Sequence, residues 1–486
     1  MLSDQELVRR NKLQRLVEND VDVYPEKFAV STSIKEAQTL NDNAIVSIAG
    51  RITALRGMGK IIFGEISDIQ GKIQIMFSKA SFEEFNEIDQ LIDLGDFIGV
   101  KGELFKTNSG EKTVRVKSYK FLGKALRPLP EKWNGLTDIE TRYRQRYLDL
   151  IMNEEIKHRF LLRSKMLKEI RNFLDSRKFI EVETPILQNK ASGAIAKPFS
   201  THHNALDIDM FLRIAPETYL KRLIAGGFTN VYEVAKCFRN EGVSPQHLQE
   251  FTMIEGYSSY SNYMDSLCLM EDLVKHILLN LFNTLIINID GYDVDFGNTW
   301  KKISFRDIIF DDCGIDIEKN IENKELLSEI MSRGIQLDHD NINSLGRGNL
   351  IDLLYKKVSR PKIIEPTFLL SHPIDLSPLA RANDSNKLIA DRFQLVVNGA
   401  ELINAYSELV DPIDQRSRLE KQALLKANGD EEAMEMDDEY LLAMEHGMPP
   451  ISGWGFGVDR MLQIFSGAQN IKDCVLFPVT RNKTGS

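Results

Sequence analysis

Residues Val231–Tyr257 read VYEVAKCFRNEGVSPQHLQEFTMIEGY. Two runs of β-formers flank a polar loop, which predicts a strand, a loop and a returning strand. Arg239, Glu241 and His247 gather at the loop. Successive side chains along a strand point to opposite faces, so Phe251, Met253, Glu255 and Tyr257 share one face, and Glu255 lies ~14 Å from Phe251. That span suits a nucleotide base at one end and an amino-acid side chain at the other. Taken by composition alone, the segment also reads as a half-buried hairpin with surface charges.

Upstream, HRFLLRSKMLKEIRNFLDSRKF places Met166, Ile170, Phe173 and Leu174 at helical spacing, and FIEVETPIL follows as a strand closed by Pro185. Downstream come a helical stretch over 267–285, an acidic helical insertion over 311–348, and strand runs at FQLVVN and INAYSEL. The chain then reaches GWGFGVDRM. Its glycines are spaced GxGxG and only 29 residues follow Gly457, too few for a dinucleotide-binding βαβ unit. A strand entering a helix fits better, with Asp459 and Arg460 at the helix start, where Arg460 can meet a phosphate or an adenine face. GxxxxGK[ST] is absent, so a P-loop nucleotidase has no support.

Towards the N-terminus the pattern changes. Five short runs of β-formers between Ala44 and Leu122, separated by glycine-bearing turns, predict a small Greek-key barrel of the OB type. Residues 4–20 predict an amphipathic helix with Arg9, Arg10, Lys12 and Arg15 on a basic face. The fold class is therefore α+β: an N-terminal helix and barrel over 1–126, a linker over 127–150, and an antiparallel-sheet domain flanked by helices over 151–486. The 61 basic and 71 acidic residues give a net charge of −10, which argues against a uniformly basic protein that coats nucleic acid. Residues 1–124 hold 18 of each sign, so the acidic excess lies in the larger C-terminal part. Four scattered cysteines without a CxxC pair argue against a zinc ribbon and a disulfide-stapled fold, and point to a reducing cytoplasm. No signal-peptide pattern and no membrane-spanning apolar run is present.

FRNEG followed by His247 and EFTM resembles the second signature motif of the class II aminoacyl-tRNA synthetases, GWGFGVDR resembles the third, and RKFIEVETPIL the first. The flanks PFSTHHNALDIDMFLRIAPETYLKRLIAGGF and ELINAYSELVDPIDQR resemble the lysyl-tRNA synthetase family in particular, and the likeness runs from about Leu2 to Lys483. The resemblance implies a ligase that joins lysine to AMP and passes it to tRNA(Lys), with ATP, L-lysine, tRNA and a second copy of the chain as partners, and neither DNA nor membrane. It implies Arg239 on the α-phosphate, Phe251 under adenine and Arg460 over it, with Glu241 and His247 also on the nucleotide. Gly193 and Glu217 receive the α-amino group and Asn404 the carboxylate. In the barrel, Phe63 and Gln74 match positions that stack on and hydrogen-bond anticodon bases; Phe63 alone would read as core.

The substrate's side chain has an independent argument. An ammonium taken out of water needs carboxylate partners. Glu255 and Glu408 supply two, with Tyr257 and Tyr406 as walls, and Asn404, Tyr406 and Glu408 share strand parity. An aspartate pocket would need cations there, and the Glu255 and Glu408 pair also argues against a ligase for asparagine.

Four positions depart from the family. Gln394 stands where an acid helps to hold Mg2+, which leaves Glu401 as the principal metal ligand, and its odd parity relative to Asn404 requires a bulge or a different face. Leu248 stands where a polar residue meets the nucleotide. Those changes leave a weakened paralogue serving RNA binding or regulation as the rival reading. Ser452 and Trp454 replace smaller residues and are expected to reshape the adenine side. The pair His202 and His203 lacks a third ligand at metal spacing.

Overall fold

The computed structural model describes all residues except 1, 83–84, 131–135, 243, 320–321, 338–341, 343–344, 428–433 and 482–486. The chain forms two compact units, Met1–Lys157 and His158–Ser486.

The first unit opens with the helix Asp4–Glu18, capped by Ser3 and Glu6 in a reciprocal capping box. Its basic face is only partly exposed: Arg9 is buried and donates to the carbonyls of Leu94 and Ala125 at 3.0 and 2.9 Å, and Lys12 pairs with Asp93 at 2.7 Å. Five strands, β1 (Ile45–Met58), β2 (Ile61–Ser67), β3 (Lys72–Ser78), β4 (Phe97–Lys106) and β5 (Lys112–Gly123), close a barrel in the order β1-β2-β3-β5-β4. Alternate residues such as Ile48, Ile62, Ile66, Ile75, Phe77, Val100 and Leu104 fill it. Phe63 lies on the other parity and faces outward, not into the core. It pairs with Met76, and the adjacent Gln74 pairs with Glu65. Gln74 donates to Glu111 at 2.9 Å and accepts from Thr113 at 2.7 Å. The stretch expected as a linker is helical over Ile139–Arg144 and Arg146–Met152, because Asp138 caps the first turn and Tyr143, Arg146 and Asp149 turn inward; 131–135 lie outside the described residues.

In the second unit, chain order gives β6 (Ile180–Glu181), β7 (Leu187–Gln188), β8 (Phe199–His203), β9 (Ile208–Leu212), β10 (Asn230–Phe238), β11 (Glu250–Ser259), β12 (Ile286–Ile289), β13 (Tyr292–Asp295), β14 (Lys301–Ser304), β15 (Thr367–Leu370), β16 (Arg392–Val397), β17 (Ala400–Ser407) and β18 (Ile451–Gly457). Eight of these make one sheet in the order β14-β15-β16-β17-β18-β11-β10-β6, antiparallel except for the outermost pair at each end. One face carries the main core, where Met166, Ile170, Phe173 and Leu174 meet the buried side of the helix Tyr263–Phe282 and the inward residues of the sheet. The acidic insertion packs in a further cluster, where Phe305, Ile309, Leu326, Ile330, Leu350 and Leu354 join the helices Phe305–Cys313, Asn323–Ser332 and Arg347–Val358 to Leu369 and Val396 of the sheet. The other face of the sheet bears the pocket. Among the described residues no helix is long and apolar enough to cross a membrane.

Candidate active site

The pocket is built on three neighbouring strands. β10 and β11 pair with Cys237 opposite Phe251 and Val231 opposite Tyr257, so Phe251, Met253, Glu255 and Tyr257 line one face, as alternation demands. β18 lies beside β11 with Gly453, Gly455 and Gly457 opposite Tyr257, Glu255 and Met253. These glycines are the floor. A Cβ at Gly453 would stand 2.1 Å from a Glu408 oxygen and 2.5 Å from the Tyr257 ring, so only a bare backbone leaves the cavity open. On β17, Asn404 and Tyr406 face Gly455 and Gly453 from the far side. The cavity holds about 390 Å³.

Trp454 and Phe456 occupy the opposite face of β18 and belong to the core. The expectation that Trp454 reshapes the adenine side is therefore wrong, because strand parity turns the indole away. It packs on Phe179 at 5.7 Å between rings and fills the space over Gly256, where a Cβ would lie 2.2 Å from the indole. Ser452 is also buried, with its hydroxyl 2.6 Å from that of Ser266.

At one end of the groove stand three buried carboxylates, Glu217, Glu255 and Glu408. Tyr257 donates to Glu255 at 3.2 Å, and Tyr406 donates to Glu217 at 2.7 Å. Desolvation, then repulsion from Glu217, pushes the Glu255 carboxyl up to about 8. Desolvation also raises Glu408 well above the usual carboxylate range, although Lys221 opposes it. Gly193, at φ +88°, fits closely against Glu217: a Cβ there would lie 3.0 Å from the glutamate's own Cβ. Asn404 is fixed by Arg392, whose Nε donates to its Oδ1 at 2.9 Å while Nη1 donates to the Leu376 carbonyl and the Ser377 hydroxyl.

At the other end Arg239 lies over the Phe251 ring, 5.1 Å from its centroid. Arg460 sits in the first turn of the helix Val458–Ser466 and donates to the Glu401 carbonyl at 3.2 Å. Its neighbour Asp459 accepts from the Thr252 amide at 2.7 Å and pairs with Arg163 at 2.6 Å, tying that helix start to β11. Glu241, His247 and the buried Leu248 complete the wall. His247 lies 2.8 Å from the Ser244 hydroxyl, and burial, then the cations Arg460, Lys356, Arg239 and Arg360, lower its pKa. This end is a cationic lip over an aromatic ring.

Glu401 reaches the same wall as Asn404 through a bulge. The β16–β17 register shifts between Leu395 and Val396, and Leu402 and Ile403 are both buried, which resets the parity. Gln394 pairs with Asn404 across those strands. Among the described residues no group of three His, Cys, Asp or Glu side chains could hold a metal ion by itself. His202 is outside the pocket, on the exposed β8–β9 hairpin, 2.9 Å from Asp209.

Sequence reasoning missed Lys221, Arg392 and Tyr440. Lys221 is four residues after Glu217 on the helix Glu217–Ala225, a spacing that puts the two on one face, and this was the available signal. Arg392 shares strand parity with Gln394, and only the pairing of β16 with β17 brings it to Asn404.

Residues 138–481 match the family model of the class II tRNA synthetases (D, K and N), and residues 46–122 match that of the anticodon OB-fold nucleic acid binding domain. The chain is 41% identical to a lysine–tRNA ligase of Staphylococcus haemolyticus over 99% of each chain. It is 42% identical to one from Prochlorococcus marinus strain MIT 9301, over all of this chain and 98% of the relative, and 41% identical to one from Syntrophomonas wolfei, over 99% and 98%. With strand order, glycine floor and two matching domains in agreement, the chain belongs to the class II tRNA synthetases of the D, K and N group.

Proposed function

We propose that the protein activates L-lysine with ATP and transfers it to tRNA(Lys). The observation that carries this reading is the cage of Glu217, Glu255 and Glu408 at the closed end of a groove whose other end presents Arg239, Phe251 and Arg460. Buried carboxylates select a cation, since leaving them unpaired costs several kcal/mol. Glu255 and Glu408 take the side-chain ammonium, Glu217 and the backbone at Gly193 the α-amino group, and Asn404 the carboxylate.

Adenine stacks on Phe251 beneath Arg460, and Arg239 neutralises the α-phosphate, with Glu241 and His247 at the nucleotide's edge. The lysine carboxylate oxygen attacks the α-phosphorus in line, diphosphate leaves, and the mixed anhydride remains. A ribose hydroxyl at the tRNA 3′ end then attacks the carbonyl carbon and AMP leaves. No covalent nucleophile or general base on the protein is required: the residues position both reactants and stabilise charge on the phosphorane-like transition state.

Mg2+ fits this pocket as an ATP-borne ion, because Glu401 on its wall relies on substrate phosphates for the rest of a donor set, while Gln394 on β16 lies opposite Asn404 and is not among the lining residues. When bound it supplies charge neutralisation on the phosphates. Gln394→Glu adds a second carboxylate, and half-maximal activity is expected at several-fold lower magnesium; an unchanged titration places the amide away from the ion. Phe63 and Gln74 on the outer barrel face support anticodon contact. Leu161, Ile180, Ile186 and Leu187 are large exposed apolar residues in and beside the first motif, which supports pairing of two copies there. The reducing cytoplasm suits the four free cysteines.

The deciding experiment is amino-acid-dependent ATP–diphosphate exchange over all twenty amino acids. Exchange with lysine alone is expected. Exchange with aspartate or asparagine, or none from a folded protein, overturns the reading.

A further inference from the structure

Lys221 is the one residue of the cage whose chemistry runs opposite to the rest. Its side chain is wholly buried. Its Nζ donates to Glu217 at 2.6 Å and is ion-paired with Glu408, and it stands 5.7 to 5.9 Å from the ring centres of Tyr257, Tyr406 and Tyr440. Burial disfavours its charge, but Glu217 and Glu408 outweigh that and hold its pKa well above the ordinary value. A permanently charged ammonium thus occupies the core of a site selective for ammonium groups.

We propose that Lys221 is a positioning residue that sets the specificity of the pocket, its charge fixing Glu217 and Glu408 and cancelling one carboxylate of three. Two negative charges are then left for an amino acid that brings two ammonium groups. The geometry supports a division of labour. The Glu217 oxygen that receives Lys221 also receives the Tyr406 hydroxyl, so that carboxylate is locked from two sides. Glu408 meets Lys221 through Oε2, while its Oε1 stands over the bare backbone of Gly453 and faces the floor. Glu255 receives the Tyr257 hydroxyl and has no ion pair to Lys221 among the described contacts. Without Lys221, three carboxylates in a desolvated cage would share a second proton, and an incoming lysine would have to expel it.

This inference rests on lysine being the substrate, so the wild type is assayed first; failure of lysine-dependent exchange there defeats the functional reading and this one with it, whereas failure confined to the Lys221 variants defeats this one alone. In a lysine-active protein, Lys221→Met is expected to raise KM for lysine at least tenfold and leave KM for ATP within threefold. Calorimetric titration of lysine into the protein in two buffers of different ionisation enthalpy counts the protons released. That count is expected to rise by about one in Lys221→Met and to stay at the wild-type value in Lys221→Arg, which keeps the charge. A purely structural lysine would move stability but not the count. Unchanged KM for lysine and an unchanged proton count in folded Lys221→Met overturn the proposal. Should that variant not fold, the neutral Lys221→Gln takes its place: a proton count raised by about one supports the proposal, and a wild-type count with unchanged KM for lysine overturns it.

Discussion

Glu255 is buried against Glu217, Tyr257, Arg239 and Lys221, and that desolvation, then repulsion from Glu217, pushes its carboxyl up to about 8. At neutral pH the empty pocket therefore keeps a proton there, which an arriving ammonium displaces. Binding favours the ionised form, so KM for lysine is expected to fall as pH rises from 6 to about 8, by up to tenfold per unit, and to level off above. Exchange kinetics from pH 6 to 9 measure it, with KM for ATP as the control, and a flat lysine profile counts against the assignment. The same shift sets a stability term. Between about pH 4.5 and 8 the folded chain holds a proton that the unfolded chain has released, so this contribution declines as pH rises through that window. Glu255, Glu408, Tyr257 and Tyr406 were legible from alternation and the need to pair a buried cation. Glu217 was legible only through family resemblance, and Lys221 only through its four-residue spacing from Glu217, a weak signal because a lysine on a helix normally marks a solvated face.

Among the elements, β18 is the one that divides the molecule's tasks by face. Its even-numbered side drives Trp454 and Phe456 into the core, and Gly256 on β11 is the complementary hollow. Gly256→Ala is expected to lose about 1–3 kcal/mol by overpacking, and Trp454→Leu in the same chain to recover part of it. Denaturant melts read both, and a neutral Gly256→Ala would mean the indole has room to move. From the sequence the glycine spacing gave a strand running into a helix, as found, but not the partner of the indole, since pairing between distant strands leaves no local trace. The parity of Glu401 announced either a bulge or a different face, and the register of β16 with β17 decides for the bulge. The helices at Ile139–Met152 were not, because a Pro-containing stretch masked the Asp138 cap.

At the scale of the whole molecule, two units with separate cores divide the work. The barrel was plain from its five β-runs, but the outward direction of Phe63 needed the register that sets it beside Met76. On the proposed anticodon contact, Phe63→Ala removes a stacking platform, and such platforms are worth about 1–3 kcal/mol per base. Aminoacylation is expected to show KM for tRNA raised roughly 5- to 150-fold, while tRNA-free exchange with lysine is unchanged; equal loss in both assays would place the ring in a structural role. Returning to the groove, its base offers main chain alone beneath Tyr257 and Tyr406. An engineer who wants the enzyme to accept a bulkier or branched lysine analogue can deepen nothing there, and has to carve the extra room out of the tyrosines at the sides.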